Sequence, residues 1–333
     1  MKARRLFSLI IGMVFVFTLT ACSGGPTKDA SKITVAGVVF QEDQFMKLLT
    51  AGYTEAAKAA GVKCLTGNTN NDTAKEVELI NTYIAQKVNG IAIAPRDSTT
   101  AEPVLKKADE KGIKIAITNT DLSSASYIVG GYTSDSKQIG ETSGKAAHDF
   151  IKNKLGGKAK IAILQFKSQV PEQSAARVDG FKAALADLGD SIQYVADQDA
   201  WLQDQAVQKG GDILTANPDV NIIFAANDGG TIGATMAIKN AGKAGKCFVF
   251  GIDTGTQQIE MLRSDDNILQ AITGQDPFNM GYKAMETLIK SIKGEDVAAT
   301  KGKTIIVPGT LLSRDNPDGI TKFETDLKAK IGG

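Results

Sequence analysis

Beyond residue 31, short apolar runs alternate along the chain with longer amphipathic segments. The run at 90–94 (Gly-Ile-Ala-Ile-Ala) is apolar throughout, which is typical of a strand buried on both faces of a parallel sheet. The segments between the runs have helical periodicity, and some begin at an Asp or Asn that can cap a helix. The pattern predicts strands at 32–40, 62–66, 90–94, 115–118, 127–129, 161–164, 192–195, 222–225, 248–252, 269–273 and 304–307.

The number of predicted strands determines the fold class. A single doubly wound sheet does not ordinarily hold so many strands in an even alternation with helices. We therefore predict an α/β fold with two similar doubly wound parallel-sheet lobes. The long helix predicted at 135–155 is the natural place for the first passage between the lobes.

The N-terminus has the pattern of an export signal. Three basic residues precede an apolar run at 6–19, which closes with Leu-Thr-Ala and Cys22. This arrangement resembles a bacterial lipoprotein signal, so we predict a signal peptide at 1–21, lipidation at Cys22 and a tether at 22–31. The alternative is a membrane helix, for which the run is short of the usual ~20 residues. The predicted location is extracytoplasmic and lipid-anchored.

Charge and location narrow the classes of function. Three of the 38 basic residues lie in the predicted signal, which leaves 35 basic against 37 acidic residues and a formal charge of −2. Nucleic-acid binding has no electrostatic support at that charge. Outside the cytoplasm, ATP and NAD are not readily supplied. We therefore predict a protein that is not an enzyme and that uses no cofactor, metal or nucleic acid.

The candidate ligand site comes from the ends of the predicted strands. In open parallel sheets, ligands bind outside the carboxyl ends of the strands. Carboxylates and amides there can bind several hydroxyl groups, an Arg supplies fixed donors, and aromatic faces stack on sugar rings. Some of these Asp and Asn residues can instead be simple helix caps. The predicted ligand-binding residues are Phe40, Asp43, Phe45, Arg96, Asn119, Asp121, Arg177, Trp201, Asn227, Asp253 and Gln275.

Several motifs occur in order around these residues. They are Ala-Pro-Arg-Asp-Ser at 94–98, Ser-Ala-Ala-Arg-Val-Asp-Gly-Phe at 174–181, Asn-Pro-Asp-Val at 217–220, Phe-Ala-Ala-Asn-Asp at 224–228 and Val-Phe-Gly-Ile-Asp at 249–253. With them the chain resembles the periplasmic sugar-binding proteins of the ribose and galactose type, which have the type I periplasmic-binding fold. The similarity extends over residues 32–319.

The resemblance implies roles for individual residues. It implies that Phe45 stacks on a sugar in the first lobe, and that the second lobe supplies contacts from Arg177, Trp201, Asn227, Asp253 and Gln275. The first lobe departs from the ribose pattern, because Asn-Thr-Asp at 119–121 stands where the family often has Asp-Arg. Asp43 also stands near the place of a family Asn. A pentose, a hexose and a polyol therefore all remain open as ligands.

The resemblance further implies three passages between the lobes, near residues 134, 275 and 308–310. The first lobe is then 32–134 plus 276–309, and the second is 135–275 plus 310–333. A ligand is buried when such lobes close about a hinge. The implied function is capture of a small sugar or polyol by a monomer that delivers it to an ABC permease. The alternative is a sensor that presents its closed form to a chemoreceptor or kinase.

Overall fold

The structure is a computed structural model, which describes residues 30–122 and 125–331. The predicted signal peptide, Cys22 and most of the predicted tether lie outside the described residues. The strands are β1 (Thr34–Val39), β2 (Lys63–Asn68), β3 (Gly90–Ile93), β4 (Lys114–Thr118), β5 (Gly130–Thr133), β6 (Ala159–Gln165), β7 (Ile192–Asp199), β8 (Ile222–Ala225), β9 (Phe248–Ile252), β10 (Leu269–Gly274), β11 (Thr304–Ile306) and β12 (Thr310–Ser313).

Helices follow most of these strands. They are α1 (Gln44–Ala59), α2 (Thr73–Ala85), α3 (Ser98–Glu110), α4 (Ser136–Lys154), α5 (Pro171–Ala183), α6 (Gln203–Ala216), α7 (Asp228–Asn240), α8 (Thr256–Arg263), α9 (Pro277–Lys293) and α10 (Pro317–Ile331). Short 3-10 helices occur at Ala30–Lys32, Ala125–Tyr127 and Ala186–Ser191.

The strands form two sheets with the same order. The first sheet runs β11-β5-β4-β3-β1-β2, and the second runs β12-β10-β9-β8-β6-β7. Neighbouring strands pair in parallel, except that β12 pairs antiparallel to β10. The predicted fold of two doubly wound parallel-sheet lobes is confirmed.

Burial on both faces explains why the inner strands are apolar throughout. Along β1, Val35 and Val39 join one hydrophobic cluster of the first lobe, while Ala36 and Val38 join the cluster on the other face. The edge strands β2 and β7 are only partly buried and carry polar residues. Layers of helices on both faces thus require the continuous apolar runs that the sequence shows.

The chain passes between the sheets three times. After β5 in the first sheet, α4 packs against β9 and β10 of the second sheet. After β10, α9 packs against α1 and β4 of the first lobe. Finally β11 belongs to the first sheet and β12 to the second. We propose on this basis that the lobes divide near residues 134, 275 and 309.

Two parts of the predicted element pattern were wrong. The strand predicted at 127–129 begins three residues later, as β5. Its first residues, Gly130 and Gly131, have low strand propensity, yet a Cβ at Gly130 would lie 3.2 Å from the Cβ of Thr300. Close packing against Thr300 therefore outweighs the low strand propensity of glycine at this position. The prediction also ended at 307, whereas β12 and α10 follow and bury Leu312 and Ile320 in the second-lobe core.

Two glycines bring α4 and α5 into backbone contact. A Cβ built at Gly140 on α4 would lie 1.9 Å from the carbonyl oxygen of Arg177 on α5. A Cβ at Gly180 would lie 2.0 Å from the carbonyl oxygen of Lys137. Any larger residue would push the helices apart, so the glycines fix the backbone position of Arg177.

We predict that Gly140→Ala destabilises the protein by about 1–3 kcal/mol, because the added methyl overpacks this contact. The matched control is Gly211→Ala on α6, where no atom lies within 4 Å of the built Cβ. That change should stabilise by about 0.5–1 kcal/mol, since Ala is the better helix former. Urea unfolding of both variants measures the difference, and equal effects at the two sites would contradict the packing argument.

Candidate functional site

The carboxyl ends of the strands in the two lobes face each other across a cleft. The cleft encloses a space of about 390 Å³, which includes a part that is open to solvent. Both lobes contribute to its lining, which consists of Phe40, Gln41, Asp43, Phe45, Met46, Asn119, Phe166, Gln169, Val170, Gln173, Arg177, Asn227, Asp228, Asp253 and Gln275.

The first-lobe wall is built from the ends of β1 and β4. Phe40 directly follows β1 and is buried. Asp43 caps α1, where its Oδ1 accepts a hydrogen bond of 2.8 Å from the Met46 amide. Phe45 lies in the first turn of the same helix and is half-buried. Asn119 directly follows β4. The wall thus combines two aromatic rings with polar groups.

The second-lobe wall is centred on Arg177, which projects from α5 and is 3% exposed. Its Nη1 donates to the Ala226 carbonyl oxygen over 2.8 Å. Its guanidinium carbon lies 4.9 Å from the centre of the Phe166 ring, a cation–π contact. The buried Nε has no hydrogen-bond partner within the protein. The guanidinium therefore retains donor capacity for a ligand.

Asp253 connects the other polar groups of this wall. Its Oδ1 accepts a hydrogen bond of 2.6 Å from Gln275 Nε2. Its Oδ2 accepts one of 3.1 Å from the Asp228 amide and lies 3.9 Å from Arg177 Nη1. Asn227 caps α7, and its Nδ2 donates to the Trp201 carbonyl oxygen over 2.9 Å. These bonds hold the side chains in a fixed arrangement.

Asn119 and Asp253 occupy corresponding places in the two lobes. Each directly follows the fourth strand of its sheet, β4 or β9, and each has a left-handed backbone, with φ of 66° and 73°. Residues other than glycine rarely adopt this conformation, although Asn and Asp tolerate it best. Local strain of this kind is concentrated at functional sites. Both strained residues line the cleft.

The cleft is rich in acid groups. Asp43, Asp228 and Asp253 line it, and Arg177 is the one cation among the described residues of its lining. Burial raises the pKa of Asp228 to about 8, with a smaller contribution from the charges of Asp43 and Asp253. Burial also raises the pKa of Asp43 and lowers that of Arg177. Such a site offers many acceptors and a few fixed donors, which suits a ligand with several hydroxyl groups.

Hydrogen bonds join the lobes across the cleft. Gln173 Nε2 of the second lobe donates to the Asn119 carbonyl oxygen of the first lobe over 2.8 Å. Gln169 Nε2 donates to Gln41 Oε1, which also accepts from Asn71 Nδ2 over 3.3 Å. The Nε2 of Gln41 donates in turn to Asp43. The structure thus has the lobes in direct polar contact.

The structure brings most of the predicted site residues together at the cleft, but not three of them. Arg96 lies outside the lining, where its amide donates to Glu76 Oε2 over 3.1 Å. Asp121 is exposed and accepts a hydrogen bond of 2.5 Å from Thr304 Oγ1. Trp201 packs against the hydrophobic cluster of the second lobe. The predicted residues that line the cleft are Phe40, Asp43, Phe45, Asn119, Arg177, Asn227, Asp253 and Gln275.

Several lining residues were not predicted. Phe166 and Asp228 follow strands β6 and β8, where the strand-end rule places them, although the predicted ligand contacts did not include them. Gln173 lies one turn before Arg177 on α5, which places both on the same face of that helix. Gln169 lies in the loop that leads into α5. The signal for Gln173 was its position one helical turn from a residue already predicted.

Residues 34–296 match a family model described as a periplasmic binding protein domain. The chain belongs to this family. Periplasmic binding proteins bind solutes outside the cytoplasm, so an extracytoplasmic location follows. Within residues 30–122 and 125–331, none of the helices has both the length and the apolar character that a membrane span requires.

Two individual relatives are similar to the chain over most of its length. The ribose import binding protein RbsB of Escherichia coli is 29% identical over 302 residues, which cover 90% of this chain and 96% of RbsB. A xylitol-binding protein of Mycolicibacterium smegmatis is 27% identical over 306 residues, covering 90% and 83% of the two chains. These relatives are binding proteins and not enzymes.

A solved structure agrees with both. The periplasmic solute-binding protein of an ABC transporter from Actinobacillus succinogenes, with bound D-allose, has a TM-score of 0.78 and 28% identity. The match covers 86% of this chain and 99% of that one. The chain is thus similar to periplasmic sugar-binding proteins of the ribose and galactose type, the resemblance that its motifs indicated. The sensor alternative gains no support from these relatives.

We predict that stability falls as the pH rises from about 4 to about 8, because folded Asp228 keeps a proton that the unfolded chain, with its ordinary pKa of 3.8, has released. Asp228→Asn should reduce the loss between pH 5 and pH 8 by at least about 1 kcal/mol. Urea unfolding at pH 5 and at pH 8 measures the free energy of unfolding of each variant. Asp179→Asn, at an exposed position of α5, is the control. An unchanged pH profile in Asp228→Asn would contradict the assignment of this pH dependence to Asp228.

We also predict that Gln173→Ala favours separation of the lobes, since it removes the bond to the Asn119 carbonyl oxygen. A lost hydrogen bond of about 0.5–1.5 kcal/mol shifts the closed-to-open ratio about two- to thirteenfold. Small-angle X-ray scattering should show a larger radius of gyration for this variant than for Gln205→Ala, which alters an exposed residue on α6. Identical scattering from the two variants would mean that the bond does not hold the lobes together.

Proposed function

We propose that this protein captures one small sugar or polyol between its two closing lobes and delivers it to an ABC importer in the membrane. The observation that carries the proposal is the buried guanidinium of Arg177, which faces the cleft with Nε free of protein partners and lies beside Asp253. A donor and an acceptor at such close range match neighbouring hydroxyl groups of a polyhydroxy ligand.

Aromatic rings complete the fit to a sugar. Phe45 lies on the first-lobe side of the cleft, while Phe166 lies on the second-lobe side. Flat rings on both sides can pack against the C–H faces of a sugar ring, as carboxylates and amides bind its hydroxyl groups. The relatives that bind ribose, xylitol and D-allose support a ligand of this class. We do not assign ribose itself, because Asn119, Thr120 and Asp121 depart from the ribose pattern.

The same proposal includes the anchor and the assembly state. We propose that Cys22 carries a lipid that holds the protein at the outer side of the cell membrane as a monomer. The pattern of the N-terminal residues supports the anchor. A tethered monomer remains near a membrane permease, which can recognise the closed form of the lobes.

A ligand screen tests the proposed function. Ribose, arabinose, allose, xylose, glucose, galactose, xylitol and myo-inositol are added to the purified protein, and its melting temperature is followed. A ligand at one hundred times its Kd stabilises the folded state by about 2.7 kcal/mol. We expect a clear shift with at least one of them. Shifts confined to amino acids or nucleosides, tested in parallel, would refute the assignment to sugars and polyols.

The variant Arg177→Ala tests the placement of the site. We expect it to weaken binding of the identified sugar at least about 100-fold, since it removes the fixed donors and leaves buried carboxylates without their cation. Arg263→Ala is the control, because Arg263 lies on α8 and pairs with Glu324 on the surface. Calorimetric titration gives both affinities, and tight binding by a folded Arg177→Ala protein would place the ligand elsewhere.

A further inference from the structure

The charges that line the candidate ligand cleft do not balance. Three carboxylates, those of Asp43, Asp228 and Asp253, stand against the single guanidinium of Arg177. With every group ionised, the described lining carries a formal charge of −2, because three negative charges face one positive charge. A net charge removed from water is costly unless an opposite charge stands beside it. The function proposed above gives this excess of negative charge no role.

Both walls of the cleft contribute to the negative charge. Asp43 caps α1 in the first lobe, while Asp228 begins α7 and Asp253 directly follows β9 in the second lobe. Asp253 Oδ2 accepts a hydrogen bond of 3.1 Å from the Asp228 amide. The charges of Asp43 and Asp253 both help to raise the pKa of Asp228. The acid groups of the two lobes therefore act on one another across the cleft.

One carboxylate oxygen of this group is left without a partner. Asp43 and Asp253 each accept hydrogen bonds at both of their oxygens. Asp228 accepts at Oδ1 from the Gly229 amide over 2.7 Å and from Asn227 Nδ2 over 3.3 Å. None of the hydrogen bonds in the described part of the chain reaches Asp228 Oδ2. This oxygen can therefore accept from a ligand in the cleft.

Protonation is how the cleft reduces its charge by itself. Burial, with a smaller contribution from the neighbouring acids, raises the pKa of Asp228 to about 8, so this carboxyl keeps a proton at neutral pH. Burial also raises the pKa of Asp43. A cation bound beside these acids would compensate for their charge directly and would allow Asp228 to ionise.

From this arrangement we propose that the ligand of the cleft carries an ammonium group as well as hydroxyl groups, so that its class is amino sugars and amino polyols. The ammonium binds at Asp228 Oδ2 and takes the place of the proton on Asp228, which passes to the solvent. Charge-assisted hydrogen bonds of this kind are about twice as strong as neutral ones. This inference rests on the proposed function, because it takes the cleft as the site of a polyhydroxy ligand.

Two observations favour an organic cation over a metal ion. Among the described residues, no group of three or more His, Cys, Asp and Glu side chains is arranged so that it could hold a metal ion. Arg177, which is 3% exposed, lines the same cleft with a buried Nε that has no partner within the protein. A metal ion cannot accept from that donor, whereas a hydroxyl oxygen of an amino sugar can.

Pairs of sugars that differ in the amine test the proposal. The pairs are D-glucosamine with D-glucose, D-galactosamine with D-galactose and D-mannosamine with D-mannose. Calorimetric titration at about pH 6.5, where an amine is protonated, gives each Kd. We expect at least one amino sugar to bind about tenfold or more tightly than its neutral partner. The N-acetyl derivative of that amino sugar, which carries no charge, should lose this advantage.

Proton release provides a second readout. The titrations of the amino sugar and of its neutral partner are repeated in buffers that differ in their enthalpy of ionisation. The change in the observed heat then gives the number of protons that each ligand displaces. We expect the amino sugar to release more protons than the neutral sugar, because its ammonium replaces the proton on Asp228. Equal release by the two ligands would contradict this replacement.

Two substitutions test the acids themselves. Asp228→Asn removes the charge and keeps an Oδ1 that can accept from the Gly229 amide, and we expect it to reduce the preference for the amino sugar at least about tenfold. Asp43→Asn should also reduce the preference. It serves as an independent variant should Asp228→Asn fail to fold, because Asn caps a helix about as well as Asp does. Asp179→Asn, at an exposed position of α5, should leave the preference unchanged.

The outcomes separate this inference from the proposed function. If neutral sugars or polyols bind at least as tightly as every amino sugar, the ammonium ligand is overturned and the proposed function stands. A preference for the amino sugar that survives both substitutions also overturns the role of these acids. If neither neutral sugars, polyols nor amino sugars bind, the proposed function fails and this inference fails with it.

Discussion

The buried guanidinium of Arg177 is the constraint on which the second-lobe wall depends. A charge removed from water must be compensated by partners of fixed geometry. Here the Ala226 carbonyl oxygen accepts from it, the Phe166 ring lies beneath it, and Asp253 stands 3.9 Å away. The backbone that carries it is held by the contact with Gly140. The packing of α4 on α5, the groups at the strand ends and the charge of Asp253 thus all determine the position of the Arg177 side chain.

The two lobes use one architecture for different chemistry. Each sheet has the same strand order, and each places a left-handed residue directly after its fourth strand. In the first lobe this residue is Asn119, whose carbonyl oxygen accepts from the opposite lobe. In the second lobe it is Asp253, whose carboxylate accepts hydrogen bonds from Gln275 Nε2 and from the Asp228 amide. The repeated backbone fixes where functional groups stand, and the residue type decides whether they join the lobes or organise a polar site.

The fold could be predicted from sequence, because continuous apolar runs indicate strands that are buried on both faces. The general position of the ligand site could also be predicted, because ligands bind at the carboxyl ends of parallel strands. The direction of individual side chains could not. Asp121 comes two residues after the left-handed Asn119, and the turn directs it to Thr304. Trp201 is partly buried and packs against the hydrophobic cluster of the second lobe. Gln173 shares a helix face with Arg177, but its bond to the Asn119 carbonyl oxygen depends on the mutual position of the two lobes, which no local pattern encodes.

The hydrogen bonds between the lobes have a kinetic consequence. Gln41 accepts from Gln169 of the opposite lobe and donates to Asp43 on the wall of the cleft. Under the proposed function, a solute enclosed there leaves after such bonds break, so the rate of lobe opening sets an upper limit on its dissociation rate. Association is limited instead by how often an open molecule meets a solute. Affinity can then change through the lifetime of the closed form, even where every contact with the solute is preserved.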